Sequence, residues 1–148
     1  MRRQFNLTDV KESGDFILVE EGEHLARIDE MRENITENGD EMFTIKLTIV
    51  AGVSVDGWVW DNIVLSDNPN SPGYKILGRT KHFLHCIGEP YEGNILIDTE
   101  NWKGKEVRIK VFHDKFTNKY HREMTKAKVG NYLLSDELQE VGAEEGPF

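Results

Sequence analysis

The run Asn38-Gly39-Asp40-Glu41-Met42-Phe43-Thr44-Ile45-Lys46-Leu47-Thr48-Ile49, followed after a short break by Trp58-Val59-Trp60-Asp61-Asn62-Ile63-Val64-Leu65, decides the fold. Asn-Gly is the strongest short-range signal for a tight hairpin, because both residues tolerate the positive φ angles such a turn requires. Beyond it Phe43, Ile45, Leu47 and Ile49 alternate with Thr44, Lys46 and Thr48, the period-two pattern of a half-buried strand. Before it, from His24 to Arg32, Ala26 and Ile28 alternate with Arg27 and Asp29 and give the preceding strand. Val53 to Gly57 supplies a second turn, and Trp58 to Leu65 is rich in the aromatic and β-branched residues that suit a third strand.

Upstream, residues 1–22 mix Phe5, Leu7, Phe16, Ile17 and Leu18 with polar residues and read as a loosely held lead-in ending at Glu21-Gly22. Downstream, Ser71-Pro72 forms a helix start, and Ile76, Leu77, Thr80, Phe83, Leu84 and Ile87 fall on one helical stripe that Gly88 stops. An irregular connection over residues 89–104 carries Trp102 and Gly104. Val107, Ile109 and Val111 then alternate with Arg108, Lys110 and Phe112 as a fourth strand, and Thr117-Asn118-Lys119 turns it into a fifth, from Tyr120 to about Val129. Three strands, one helix and two strands predict an all-β chain: a five-stranded Greek-key barrel of the OB-fold type, with the helix between strands 3 and 4. A two-layer α+β sheet fits the same order. The expected organisation is a lead-in over 1–22, the barrel over 23–134 and a flexible acidic tail over 135–148.

At 148 residues, 38% hydrophobic and 30% charged, the chain can bury one core but hardly two. No run approaches the roughly 18–20 apolar residues of a membrane span. Met1 to Phe5 begins basic but has no apolar stretch behind it, so no secretory signal is expected. A lone Cys86 forms no internal disulfide and suits a reducing compartment, so we expect a cytoplasmic protein, in the host cytoplasm if phage-encoded. Charge is unevenly spread. Residues 1–74 hold 6 basic and 15 acidic side chains (net −9), residues 75–128 hold 12 and 7 (+5), and residues 129–148 hold 0 and 5 (−5). A chain with net charge −9 does not coat phosphates with its whole surface, but it can do so along its basic block.

Enzyme signatures are missing: the sequence has no glycine-rich phosphate loop with its lysine, no dinucleotide fingerprint, no nucleophile elbow and no paired CxxC. No catalytic residue and no cofactor are expected. His82, His85 and Cys86 have helical spacing, but they lack a second cluster, and His85 and Cys86 point to different faces, so no metal site is expected either. Glu23-His24 and Asp61-Asn62 would serve acid–base chemistry only if folding brought them together.

Binding signals are stronger. Single-stranded nucleic acid is held by aromatic faces that stack on bases beside a basic groove that follows phosphates. On the third strand Trp58 and Trp60 share a face with Asn62, and on the second Lys46 stands among threonines. Whether this face is outward or lies in the core is left open by the pattern, although Asp61 on the Val59 side makes that side the less clean core. The fourth and fifth strands carry the basic block. Lys115, Phe116, Lys119 and Tyr120 cluster at the hairpin tip, and Arg108, Lys110, Phe112, Arg122, Lys126 and Lys128 lie along its arms. The tail ends Glu144-Glu145-Gly146-Pro147-Phe148, and a flexible anion finishing in a ring and a carboxylate can dock in a basic, apolar pocket of another protein.

Glu21-Gly22-Glu23-His24, Asn38-Gly39-Asp40-Glu41-Met42, Val59-Trp60-Asp61-Asn62-Ile63-Val64-Leu65, Phe83-Leu84-His85-Cys86-Ile87-Gly88 and Trp102-Lys103-Gly104-Lys105 together resemble a phage-encoded family of small OB-fold proteins. That family was long catalogued as a domain of unknown function, and the likeness spans about residues 20–134. It implies single-stranded-DNA binding in phage replication and recombination, without catalysis. The segment Glu144, Glu145, Pro147 and Phe148 is similar to the acidic tip of bacterial single-stranded-DNA-binding proteins, which implies recruitment of replication or recombination proteins; it differs in its few consecutive acids and in Gly146 before the proline. The alternative from another class is an OB-fold adaptor that binds protein and no nucleic acid, and a hydrolase or nuclease is the remoter one.

Overall fold

The computed structural model describes residues 1–8 and 17–134; the tail over 135–148, with Glu144, Glu145, Pro147 and Phe148, and also Phe16, lie outside the described residues. Five strands, β1 (Gly22–Ile35), β2 (Glu41–Ile49), β3 (Trp58–Leu65), β4 (Glu106–Thr117) and β5 (Glu123–Leu133), form one antiparallel sheet in the order β3-β2-β1-β4-β5. Between β3 and β4 come α1 (Pro72–Lys75), α2 (Leu77–Cys86) and a 3-10 turn at Thr99–Asn101. No helix among the described residues is long and apolar enough to cross a membrane.

The alternation read in β2 is realised fully: Phe43, Ile45, Leu47 and Ile49 are buried. Ala26 and Ile28 from β1, Val59 and Ile63 from β3, Val107, Ile109 and Val111 from β4, and Val129 and Tyr132 from β5 complete the sheet side of the core, which α2 covers with Phe83 and Leu84. Trp102, fully buried, meets Phe43 edge-on at 5.7 Å and Phe83 at 5.2 Å, and Phe83 meets Tyr132 at 4.8 Å. Each such pair adds about 0.5–1.5 kcal/mol beyond the area it buries.

The expected barrel is not closed. β3 and β5 end the sheet on opposite sides and share no backbone ladder. Side chains of α2 grip both edges instead. Thr80 Oγ1 donates to the Val64 carbonyl on β3 at 2.8 Å, Arg79 Nη2 donates to the Val129 carbonyl on β5 at 3.2 Å, and His82 Nε2 lies 2.7 Å from the Tyr132 carbonyl. A helix laid over a strand edge satisfies polar groups that would otherwise invite another strand.

Three local expectations need correction. The single helix from Ser71 is two segments, because the backbone leaves helical geometry at Ile76 (φ −103°, ψ 12°); Ile76 is consequently exposed rather than on the buried stripe. The β4–β5 turn is longer than Thr117 to Lys119. Asn118 Oδ1 accepts from the amides of Tyr120 and Arg122, and His121 takes a positive φ of 62°, so β5 begins at Glu123 and runs on to Leu133. The end of the lead-in is held: Val19 is fully buried, its carbonyl lies 2.7 Å from His113 Nε2, and the Glu20 amide donates to Ser54 Oγ at 3.0 Å.

Asp40, buried in the loop of the first hairpin, accepts from the Ser71 hydroxyl, and hydrogen bonds from Ser66, Ser71 and the Gly73 amide hold its carboxyl below the ordinary value of 3.8. Gly73 is needed there, since a β-carbon on it would stand 2.3 Å from Asp40 Oδ2.

Candidate nucleic-acid interface

The unclosed side of the sheet is a cleft of about 700 Å³. One wall is β3, with Trp58, Trp60 and Asn62, and the neighbouring Thr44 of β2. The other is the β4–β5 hairpin, with Phe112, Lys126 and Lys128. Ile17, Leu18 and Val19 also line it. The register of β3 places both tryptophans outward, because Val59 and Ile63 on the alternate positions are buried. Trp58 is 41% exposed and Trp60 partly so, which rules out the core reading of this pair.

Cations accompany the rings. Arg32 of β1 lies 4.7 Å over the Trp60 ring, Lys46 of β2 lies 4.8 Å over Trp58, and Lys126 of β5 lies 5.2 Å over Phe116. Exposed pairs of this kind are worth only about 0.5–1 kcal/mol each, so an incoming phosphate can draw the cation off and leave a ring face to a base. Thr44 Oγ1 donates to Asn62 Oδ1 at 2.7 Å, which orients the Asn62 amide on the same wall. Opposite it, a bulge at Gly130 makes room for Phe112, because a β-carbon at that position would stand 3.2 Å from the Phe112 ring.

Of the residues expected to bind, Trp58, Trp60, Phe112 and Lys126 line the cleft, and Lys46 flanks it over Trp58. Phe116, Lys119 and Tyr120 are exposed toward the hairpin end, with Lys119 5.2 Å over the Tyr120 ring. Lys115 and Arg122 are exposed as well and are not among the lining residues, although Thr125, the cross-strand partner of Lys115, is. Arg108 and Lys110 are not among the lining residues. They face Leu25 and Glu23 across β1, and the half-buried Arg108 has a buried Nε without a hydrogen-bond partner among the described residues. Sequence reasoning missed Arg32. A bulge between Ile28 and Glu30 reverses the alternation, turning Met31 inward against the core and Arg32 outward beside Thr44.

At the inner end of the cleft Asp61 accepts from the Tyr132 hydroxyl and pairs with Arg79 at 2.9 Å. Burial pushes the Asp61 carboxyl above its ordinary value of 3.8, against the pull of Tyr132 and Arg79, and burial beside Asp61 also raises the Tyr132 phenol. On α2, Cys86 Sγ lies 3.5 Å from His82, and burial lifts the thiol to about 11, which keeps it protonated and unreactive at neutral pH. His85 instead stacks on Tyr91 at 4.0 Å. Among the described residues no group of three His, Cys, Asp or Glu is placed to hold a metal ion.

No protein-family model matches the chain, and no curated protein matches it.

Proposed function

We propose that this chain binds single-stranded DNA in the cleft between β3 and the β4–β5 hairpin, without strong sequence preference. The observation that carries the reading is the gathering of Trp58, Trp60 and Phe112 around one open cleft together with Lys126 and Lys128, while Arg32 and Lys46 stand over the two indoles. Ring faces reach bases only when those bases are unstacked, so the arrangement suits single strands rather than duplex. The strand order, with its helices between β3 and β4, supports reading the sheet as an OB-type barrel left open along β3 and β5. The sequence resemblance supports a role in phage replication or recombination, with the tail recruiting partner proteins.

Titration of intrinsic tryptophan fluorescence with oligo-dT, single-stranded RNA and blunt duplex at two salt concentrations tests the proposal. We expect a salt-sensitive change with oligo-dT and a weaker one with duplex. A chain that ignores every oligonucleotide overturns the proposal and leaves the adaptor as the reading to test, and equal response to duplex removes the single-strand reading.

A further inference from the structure

The β1–β2 hairpin runs past the core, and its inner face is uncovered at the far end. Glu33 pairs with Phe43 and Ile35 with Glu41 across the two strands, and these four residues with Asn34 enclose a pocket of about 260 Å³. Phe43 is its buried floor. Ile35 is 61% exposed, a large aliphatic side chain in water between two carboxylates. Elsewhere on the same chain lies a segment of the opposite kind. Every residue from 1 to 8 is exposed, Phe5 at 65%, and the Arg3 guanidinium stands 4.7 Å over the Phe5 ring. This arm presents cations beside a ring; the pocket presents carboxylates beside aliphatic and aromatic floor.

We propose that the arm of one copy docks in the hairpin pocket of another, Phe5 covering Ile35 and Phe43 while Arg2 and Arg3 meet Glu33 and Glu41. The two surfaces differ, so each protomer that gives an arm still offers a pocket: two copies that exchange arms close as a pair, and copies that do not close continue along a ring or a row. The contact uses neither cleft wall, and therefore does not depend on nucleic acid. Its charged half weakens as salt rises.

Sedimentation of the purified full chain without nucleic acid tests it. The weight-average mass should climb with protein concentration at low salt, levelling at about twice the monomer for a reciprocal pair and passing beyond it for a ring or row. High salt, or Phe5→Ala, should return it to the monomer. Glu33→Lys with Glu41→Lys, and separately Arg2→Glu with Arg3→Glu, should each give monomers. Mixing the two variants should restore association, because each then offers the other a complementary arm and pocket. A wild-type chain that stays monomeric at all concentrations, with the arm in solvent or folded onto its own pocket, would overturn the proposal, as would a mixture that fails to associate. Since all substituted residues are exposed, an unchanged far-ultraviolet spectrum checks that the variants are folded. A chain that self-associates in this way yet ignores oligonucleotides would sink the nucleic-acid proposal alone.

Discussion

The phenol of Tyr132 on β5 donates its hydrogen bond to the Asp61 carboxylate on β3, joining by side chains two strands that share no backbone ladder. Arg79 of α2 closes on the same carboxylate at 2.9 Å and lies 5.4 Å over the Tyr132 ring. Tyr132→Phe leaves a desolvated carboxylate short of a donor, and urea denaturation should register a loss of about 1–3 kcal/mol. A variant as stable as wild type would mean that the bond contributes nothing to holding the cleft walls.

Two buried carboxylates should pull stability in opposite directions with pH. Asp40 has its folded value below 3.8, so its contribution is complete above 3.8 and is lost as pH falls through the lower folded value. Asp61 has its folded value above 3.8, so the folded chain holds that proton more tightly than the unfolded one, and stability declines as pH rises from 3.8 through the folded value. Raising pH should therefore shift the urea midpoint difference toward wild type against Asp40→Asn, and toward the variant against Asp61→Asn. The same slope for both variants would contradict the assignment.

Trp58→Ala and Trp60→Ala should each cost about 1–3 kcal/mol of oligonucleotide affinity while hardly moving the melting temperature. Trp102→Ala is the contrast. Its ring is fully buried between Phe43 and Phe83, and truncation should cost about 3–5 kcal/mol of folding stability. A melt in which Trp60→Ala unfolds as readily as Trp102→Ala would retire Trp60 as a base platform.

Lys126→Ala should lower the logarithmic salt slope of single-strand binding by about 0.7, the value of one phosphate contact. Lys128→Ala should lower it less, because Asp114, at 3.1 Å, already balances that ammonium. Gly130→Ala crowds the Phe112 ring and should weaken binding without changing the slope. Equal slopes for Lys126→Ala and Gly130→Ala would show that cation and ring are not separable.

Where the sequence was periodic it was legible. Phe43 to Ile49 and Trp58 to Leu65 lie in the strands their alternation indicates, and Asp61, odd among Val59 and Ile63, has its reason in Arg79 and Tyr132, which are distant in sequence. The phase of β1 was not legible, because one extra residue at the bulge exchanges the faces of Met31 and Arg32 and no local pattern announces it. The open β3–β5 side was equally hidden: it depends on Thr80, Arg79 and His82 reaching backbone carbonyls on both edges, and the alternation of a strand carries no record of what lies beside it.

The central place of β1 also sets an order of assembly. Its pairing with β2 crosses only the five-residue loop 36–40, and β4 meets β5 across the five-residue loop 118–122, but Ala26 must also find Val107, roughly eighty residues further along. Closing so long a loop loses chain entropy before any contact repays it, so loop entropy favours the two hairpins over their joining along β1 and β4 as the earlier contacts. Ala26, fully buried with Ile49 on one flank and Val107 on the other, stands on that seam, where a bulkier side chain weighs on the rate of folding as well as on its equilibrium.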